Sequence, residues 1–195
     1  MRLNKARIEP VGDAEMTPEQ REALQPFIDA GKALNIFRTI ARKPKALRRF
    51  NEWGGYVLSR RNDLPVRERE IAILRTGWLC RSGYEWTQHL KYGRSGGLGE
   101  ADFAALKAGA DAGWGPADAA LIRACVELHA DQFITDATWA ELRRHFTEAQ
   151  CMDVVFTAGN YTLVSMILNS FGVQLEPGAT LDPDFKRSGP TPGKG

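Results

Sequence analysis

A cysteine pair is absent from this sequence: Cys80, Cys125 and Cys151 are its three cysteines, and no two of them form a CxxC arrangement. An odd number of scattered thiols argues against a disulfide framework and indicates free, buried cysteines in a reducing compartment. Also absent are a run of ~18 apolar residues and an apolar stretch behind the first residues, so we expect neither a membrane span nor a signal peptide. These absences predict a cytoplasmic protein.

A large excess of charge of either sign is missing as well. The net charge of +2 is too small to indicate a nucleic acid or a membrane surface as a partner. Basic residues do cluster between Arg38 and Arg49, but their spacing on amphipathic segments is better explained by a solvated helix face. The 43% hydrophobic and 26% charged residues are typical of an ordinary globular protein. We therefore expect a small molecule as the partner.

Strand signals are scarce, whereas helix start and stop signals are frequent. Thr17 with Gln20, and Thr147 with Gln150, have the spacing of capping boxes, in which each side chain bonds the backbone N–H of the other residue. Neither βαβ alternation nor an internal repeat is present, so the sequence predicts an all-α bundle. Nine helices are expected, beginning near Pro18, Ile36, Pro44, Glu68, Tyr84, Glu100, Pro116, Asp136 and Glu148.

Two of these helices have unusual compositions. The helix from Glu68 to Leu79 has little polar face, so we expect it to be central. The third helix contains Gly54-Gly55, which indicates a kink or a close contact with another helix. The end of the chain is rich in Pro, Gly and charge. We therefore expect a single helical domain at residues 1–175 and a C-terminal arm or disordered tail at 176–195.

One group of residues has the pattern of a reactive site. Glu85 and His89 are four residues apart on one predicted helix and therefore share a face. Glu70 lies on the preceding apolar helix, where a carboxylate is costly unless it is paired. If the two helices form a hairpin, both carboxylates surround the imidazole. A carboxylate favours the imidazolium whereas burial opposes it, so the cluster is a candidate proton relay with His89 as acid or base.

Other interpretations of these residues remain open. Ser82 and Glu85 also have capping-box spacing, in which case Glu85 and His89 form only an ordinary surface pair. Glu70, Glu85 and His89 together offer three ligands to a metal. With only one nearby histidine and no second Glu-x-x-His motif, we expect no metal here.

The reactive cluster lies within a recognisable motif. The stretches REIAILRTGWLC and YEWTQH resemble the core motif of the carboxymuconolactone decarboxylase/alkylhydroperoxidase D-like family. The flanking stretches NIFRTIARKP and YTLVSMILNSFGV are similar to elements of its longer members. The resemblance extends from about Asn35 to Val173 and implies an alkylhydroperoxidase D-like helical bundle.

The resemblance implies two activities. Peroxidase members carry Glu…Cys-x-x-Cys-x-x-x-His, which corresponds here to Glu70, Ser82, Glu85 and His89. Ser82 and Glu85 cannot form a disulfide, because that reaction needs a thiolate that attacks a sulfur. The decarboxylase branch acts on a γ-carboxymuconolactone without a cofactor and is similar at His89. We therefore expect a cofactor-free lyase or isomerase of a small carboxylated or lactone metabolite, with His89 as proton donor oriented by Glu70 and Glu85.

Peroxidase activity, with Cys80 as the nearest thiol, and a non-catalytic helical assembly are the alternatives. The family resemblance also implies a homo-oligomer, a trimer or a hexamer, with the site near subunit contacts. Arg75 or Arg81 is a candidate to hold a substrate carboxylate, although aromatic residues near the motif are more often core than substrate contacts. The candidate substrate-binding residues are Ser82, Tyr84, Trp86, Arg75, Arg81, Phe37, Trp53, Tyr161 and Asn169.

Overall fold

The computed structural model describes residues 2–185, and over that range it contains nine α-helices and no strand. The predicted all-α class is therefore confirmed. The final ten residues of the predicted tail, 186–195, lie outside the described range. The helices are α1 Pro18–Asp29, α2 Asn35–Ile40, α3 Pro44–Val57, α4 Val66–Leu79, α5 Gly83–Ser95, α6 Glu100–Ala108, α7 Pro116–Asp131, α8 Asp136–His145 and α9 Glu148–Phe171.

Local sequence signals explain where several helices begin. The Thr17 side chain accepts from the Gln20 N–H, and the Gln20 side chain accepts from the Thr17 N–H at 3.0 Å. Thr147 and Gln150 form the same reciprocal pair at the start of α9. Both predicted capping boxes are confirmed. Each cap satisfies backbone donors that the helix leaves free, which stabilises it by about 1 kcal/mol.

Helix α4 is the centre of the molecule, as its composition predicts. Ile71, Ala72, Ile73 and Leu74 have no exposed surface. The helix packs against α5, α6, α7 and α9. Because neighbours surround it, the stretch of α4 from Arg69 to Gly77 is buried, including the charged residue Glu70. This burial makes the pairing of that carboxylate a requirement for the fold.

Gly54 and Gly55 in α3 were predicted to mark a kink or a close contact with another helix. The close contact is not present among residues 2–185. Helix α3 runs without a break from Pro44 to Val57. A Cβ atom built on Gly54 or on Gly55 meets no atom within 4 Å. The two glycines therefore leave open space beside the helix.

The chain after α9 folds back over the helices as far as Phe185. Asp182 accepts hydrogen bonds from Lys107 at 2.6 Å and from the Trp86 indole N–H at 3.2 Å. The Phe185 ring is buried and packs edge-on against Trp78, with ring centroids 5.0 Å apart. Residues 176–185 thus form an arm held by polar and aromatic contacts.

Helix α9 passes a composition test for membrane spans. It has 24 residues, and its most apolar window has a mean hydropathy of 1.4. That window is 56% buried inside the fold. The core helix of a soluble protein passes the same test, so this finding is weak support for a membrane span.

Candidate active site

Helices α4 and α5 form the hairpin that brings the three candidate residues together. The Glu70 carboxylate lies 2.7 Å from Nδ1 of His89, and the Glu85 carboxylate lies 2.9 Å from Nε2. Arg81, at φ +52°, is one of the residues at the reversal between the helices. The imidazole is therefore held at both ring nitrogens by carboxylates from two different helices.

Glu85 pairs with His89 and does not cap its own helix. The Ser82 side chain makes no capping hydrogen bond at the start of α5, and its hydroxyl is buried. The capping-box interpretation is therefore wrong. A buried imidazolium offers Glu85 a charge-assisted hydrogen bond, which is stronger than a bond to a free backbone N–H.

The environment of His89 favours the imidazolium. Burial by itself lowers the pKa of this side chain, but the charges and hydrogen bonds of Glu85 and Glu70 outweigh it and raise the pKa to about 10. His89 consequently carries a proton on both nitrogens at neutral pH. Each of these protons is shared with a buried carboxylate.

Tyr161, on α9, completes this cluster. Its hydroxyl oxygen lies 3.1 Å from Nε2 of His89. Burial, followed by the charges of Glu85 and Glu70, raises its pKa well above the usual value, so the phenol stays protonated. Nε2 of the imidazolium carries one proton, which the Glu85 carboxylate and the Tyr161 oxygen share. The Tyr161 hydroxyl proton has no acceptor among residues 2–185 and can bind a ligand.

A cavity of about 250 Å³ opens onto this cluster. Glu85, His89 and Tyr161 line it, whereas Glu70 lies behind the imidazole and does not. Its other walls are mostly apolar and aromatic, and come from the first three helices, α5, α9 and the loop after α1. These wall residues include Phe27, Leu34, Ile36, Phe37, Phe50, Leu58, Tyr84, Tyr92 and Val164.

Phe37, Tyr84 and Tyr161 are the predicted substrate-binding residues that line this cavity. Phe37 stacks on Phe27, with ring centroids 4.0 Å apart, and forms part of the apolar wall. The Tyr84 hydroxyl donates to Glu176 at 2.5 Å. Tyr84 therefore presents its ring to the cavity while its polar end ties the C-terminal arm to α5.

Both candidate arginines lie outside the cavity, in contrast to the expectation that one of them holds a substrate carboxylate there. The buried Arg75 guanidinium donates to the carbonyls of Leu106 and Lys107, at 2.6 and 3.1 Å. These carbonyls are near the end of α6 and have no acceptor role within that helix, so Arg75 acts as a structural cap. Arg81 lines a separate cleft, together with Asn169.

The remaining candidates also have structural positions outside the cavity. The Asn169 amide donates to the Cys80 carbonyl at 2.9 Å, and Ser82 is fully buried in the hairpin turn. Trp86 packs against Trp78, with ring centroids 5.6 Å apart. Trp53 is 43% exposed and stacks on Tyr56 at the surface.

Sequence reasoning missed several residues that line the cavity. Asn160 is the most informative, because it is 5% exposed and its side-chain oxygen has no hydrogen-bond partner among residues 2–185. Its signal in the sequence is an amide inside the apolar helix α9, next to Tyr161. Gln88, Tyr92, Lys32 and the glycines Gly54 and Gly55 also line the cavity.

The nearest thiol lies in the separate cleft that contains Arg81. Cys80 is half-buried, and its sulfur lies 3.6 Å from Nδ1 of His129. Burial raises the pKa of the Cys80 thiol, and the neighbouring Ser165 and Thr162 hydroxyls lower it by a smaller amount. The reactive thiolate is therefore disfavoured. Cys125 and Cys151 are buried and free, as the sequence predicts.

The arrangement of helices is the alkylhydroperoxidase D-like fold, as expected from the resemblance. A peroxidase-related protein from Ralstonia eutropha, described as an alkylhydroperoxidase AhpD core, is similar with a TM-score of 0.65 at 18% identity, over 87% of this chain and 93% of that one. A peroxidase-related protein from Silicibacter gives 0.70 at 14% identity, over 91% and 92%. The debrominase Bmp8 in complex with 2,3,4-tribromopyrrole gives 0.72 at 10% identity, over 89% and 94%.

The family match is narrower than the fold match. Residues 44–127 match the model of the carboxymuconolactone decarboxylase family, which confirms the predicted resemblance over that stretch. The stretch contains Glu70, Glu85 and His89, whereas Tyr161 and Asn160 lie beyond it. No curated protein matches this chain significantly.

Proposed function

We propose that this chain is a cofactor-free isomerase or lyase of the carboxymuconolactone decarboxylase-like type, which moves a proton on a small carboxylated or lactone metabolite. One observation carries the proposal: His89 lies between two buried carboxylates, 2.7 Å from Glu70 at Nδ1 and 2.9 Å from Glu85 at Nε2, and Glu85 lines an apolar cavity. An ionised carboxylate that faces an apolar cavity is a suitable base, because a bound ring displaces the water that solvates it.

Each polar group at the cavity has a part in such a reaction. Glu85 removes a proton from a ring carbon next to a carbonyl, and negative charge then develops on the carbonyl oxygen. The free hydroxyl proton of Tyr161 bonds to that oxygen. His89 shares its Nε2 proton with Glu85, so it acts as the proton reservoir of the relay, and Glu70 holds the imidazole in place from behind.

An unsaturated lactone shows how the atoms balance. Loss of the proton from the carbon α to the carbonyl gives a dienolate, whose negative charge lies on the lactone oxygen. Return of that proton at the γ carbon moves the double bond and restores a neutral ring. No electron acceptor and no cofactor are needed, because the carbonyl itself accepts the electron pair.

Two further findings support this type of ligand. The structurally similar debrominase Bmp8 binds 2,3,4-tribromopyrrole, which is a small ring compound. The cavity here is just below the range of about 300–1,000 Å³ for sites that hold drug-sized ligands, and thus suits a smaller molecule. A peroxidase reaction has less support, because the pKa of Cys80 is raised and the thiol lies in another cleft.

The proposal is tested with α-angelica lactone, whose double-bond shift is monitored by proton NMR in heavy water. We expect the wild-type chain to catalyse the shift with deuterium uptake. Glu85→Gln and His89→Gln should each reduce the rate by roughly 100-fold or more, since general acid–base groups contribute that much. Tyr161→Phe should reduce it by roughly 100-fold, because one donor to the oxyanion is removed.

A control variant and a second substrate complete the experiment. Arg75→Lys alters a charged residue outside the cavity and should leave the rate unchanged once folding is verified. Release of CO2 from γ-carboxymuconolactone, lost in His89→Gln, would show that the reaction is a decarboxylation. Thiol-dependent peroxide turnover that Cys80→Ser abolishes, with neither ring compound converted, would contradict the proposal.

A further inference from the structure

Among residues 2–185, Lys32 is the only lysine or arginine that lines the cavity at His89. No arginine among residues 2–185 lines it, and both N–H groups of His89 are already engaged by carboxylates. Lys32 lines it at the exposed rim, where its ammonium is solvated. A carboxylate placed beside Glu85 would therefore lose its water without gaining an ionic partner, which is strongly unfavourable.

One further buried cation lies close to this cluster. The charge of Arg69, on α4, acts on Tyr161 and lowers its pKa against the larger effects of burial and the two glutamates. The Arg69 guanidinium donates to the Ser59 carbonyl at 2.9 Å and does not line the cavity. Arg69 is therefore held by the backbone outside the cavity and does not contact a ligand bound there.

Asn160 contributes a buried polar side chain, without a hydrogen-bond partner among residues 2–185, to the wall of the cavity. Its side-chain oxygen is buried and has no hydrogen-bond partner among the described residues, although the side chain lines the cavity. A buried acceptor without a partner costs roughly as much as a lost hydrogen bond. An N–H or O–H group on a bound molecule removes that penalty, so Asn160 favours a ligand with a donor.

The glycine pair of α3 determines the width of the same cavity. Asn51, Gly54, Gly55 and Leu58 have the spacing of one helix face, and all four line the cavity. A Cβ atom on either glycine meets only open space. Each glycine in a helix interior costs roughly 1 kcal/mol relative to alanine. The two glycines therefore destabilise α3, and this cost is not explained by close packing, because no neighbouring atom of residues 2–185 needs the space.

From these three observations we infer the class of substrate, and the inference rests on the proton-transfer function proposed above. The cavity takes an uncharged, flat ring compound that carries one N–H or O–H donor. Asn160 binds that donor, and the face of α3 that contains Gly54 and Gly55 accommodates the ring. Among the substrates proposed above, this favours uncharged rings over carboxylated ones, because Lys32, at the exposed rim, is the only lysine or arginine among residues 2–185 that lines the cavity.

Binding of two probes of equal size tests this inference without any need for turnover. Isothermal titration calorimetry in slightly acidic buffer compares 4-hydroxyacetophenone, which is neutral, with 4-hydroxybenzoate, in which a carboxylate replaces the acetyl group. We expect the ketone to bind at least about tenfold more tightly than the acid. A third probe, 4-methoxyacetophenone, lacks the O–H donor and should bind more weakly than the hydroxy ketone.

Variants of the lining residues locate the binding site. Asn160→Leu should reduce the affinity for 4-hydroxyacetophenone by roughly tenfold and leave that for 4-methoxyacetophenone unchanged. Gly54→Leu should abolish binding of both ketones because its side chain fills the cavity, whereas Gly54→Ala should retain binding. Glu52→Leu places the same side chain elsewhere on α3 and serves as the matched control. Lys32→Met should not change the affinity for the ketones.

The outcomes separate this inference from the proposed reaction. If 4-hydroxyacetophenone binds in the cavity but lactones are not isomerised, the substrate class stands and the proton-transfer function fails. If lactones are isomerised but 4-hydroxybenzoate binds as tightly as the ketone, the substrate class is overturned. Absence of binding by both probes to the folded wild-type chain also overturns it, as does unchanged binding in Gly54→Leu.

Discussion

His89 combines two opposing influences in one buried side chain. Burial favours the neutral imidazole, whereas Glu70 and Glu85 favour the cation and outweigh burial. The pair of carboxylates therefore keeps the proton on His89 under conditions in which an exposed histidine loses it. The same pairing makes the two buried carboxylates tolerable, since each has a charged donor.

The stability of the protein should consequently fall as pH rises from about 6.5 to about 10. The folded chain retains the His89 proton in this interval while the unfolded chain has lost it, because the pKa is raised from 6.5 to about 10. Denaturant unfolding at a series of pH values measures the effect. Glu70→Gln removes one of the carboxylates and should flatten the dependence. An imidazole that loses its proton near pH 6.5, by nitrogen NMR, would contradict this account.

Single residues also show why some predictions failed. Glu85 has the spacing of a cap with Ser82 and of an ion pair with His89, and the structure shows the ion pair without the cap. Arg75 was predicted to bind a substrate carboxylate because of its charge. The sequence does not show that its guanidinium instead donates to two backbone carbonyls of α6. Asn160 was missed because an amide in an apolar helix becomes informative only when its lack of a partner is visible.

At the scale of helices, Glu176 links the C-terminal arm to two walls of the cavity. Its carboxylate accepts from the Tyr84 hydroxyl and the Gln88 amide, both on α5, and from the backbone N–H of Asn35 at 3.0 Å at the start of α2. Tyr84 and Gln88 line the cavity. The arm therefore positions the helix that carries Glu85 and His89.

Replacement of Glu176 should weaken both the fold and the cavity. Glu176→Ala leaves the Tyr84 hydroxyl without its acceptor, and we expect a loss of about 2 kcal/mol in the free energy of unfolding. Glu176→Gln retains one acceptor oxygen and should lose less. Denaturant unfolding measures both variants, with Thr180→Ala, at an exposed position of the arm, as a control. Equal stability of Glu176→Ala and the wild-type chain would mean that the arm does not hold α5.

The domain boundary at residue 175 stays a prediction.

For the whole molecule, the outer face of α9 is the surface best suited to subunit contacts. Met152, Leu163 and Met166 are 48%, 48% and 61% exposed and have the spacing of one helix face. An apolar stripe of this kind on a globular protein is typical of an interaction site. It supports the prediction of a homo-oligomer, which the family resemblance implies as a trimer or a hexamer.

Light scattering after size-exclusion chromatography tests this prediction. We expect a mass of three or six chains for the wild-type protein. Met166→Glu places a charge on the stripe and should shift the mass to one chain, because burial of that charge is unfavourable. Arg123→Glu, on a different helix, should leave the mass unchanged. A wild-type chain that is monomeric at high concentration would overturn the prediction.

The amino-acid sequence by itself determined which segments are helical and which residues form the reactive cluster. The N-caps Thr17 and Thr147 bond backbone groups three residues further along, and prolines fix the backbone angle of the first helical residues. Helix starts therefore follow from interactions between residues that are close in the sequence. The four-residue spacing of Glu85 and His89 likewise follows from the helical repeat. The start of α4 was misplaced by two residues, at Glu68 instead of Val66, because Pro65 already begins the turn.

Only the tertiary structure decided what surrounds that cluster. The approach of Tyr161, the unpartnered amide of Asn160 and the open face of α3 all depend on contacts between residues far apart in the chain. No local pattern encodes such contacts, because they arise when apolar faces of several helices pack together around α4. The pairing of His89 with Glu70 and Glu85 could thus be predicted from the sequence around them. The shape and charge of the cavity, by contrast, result from the packing of the helices.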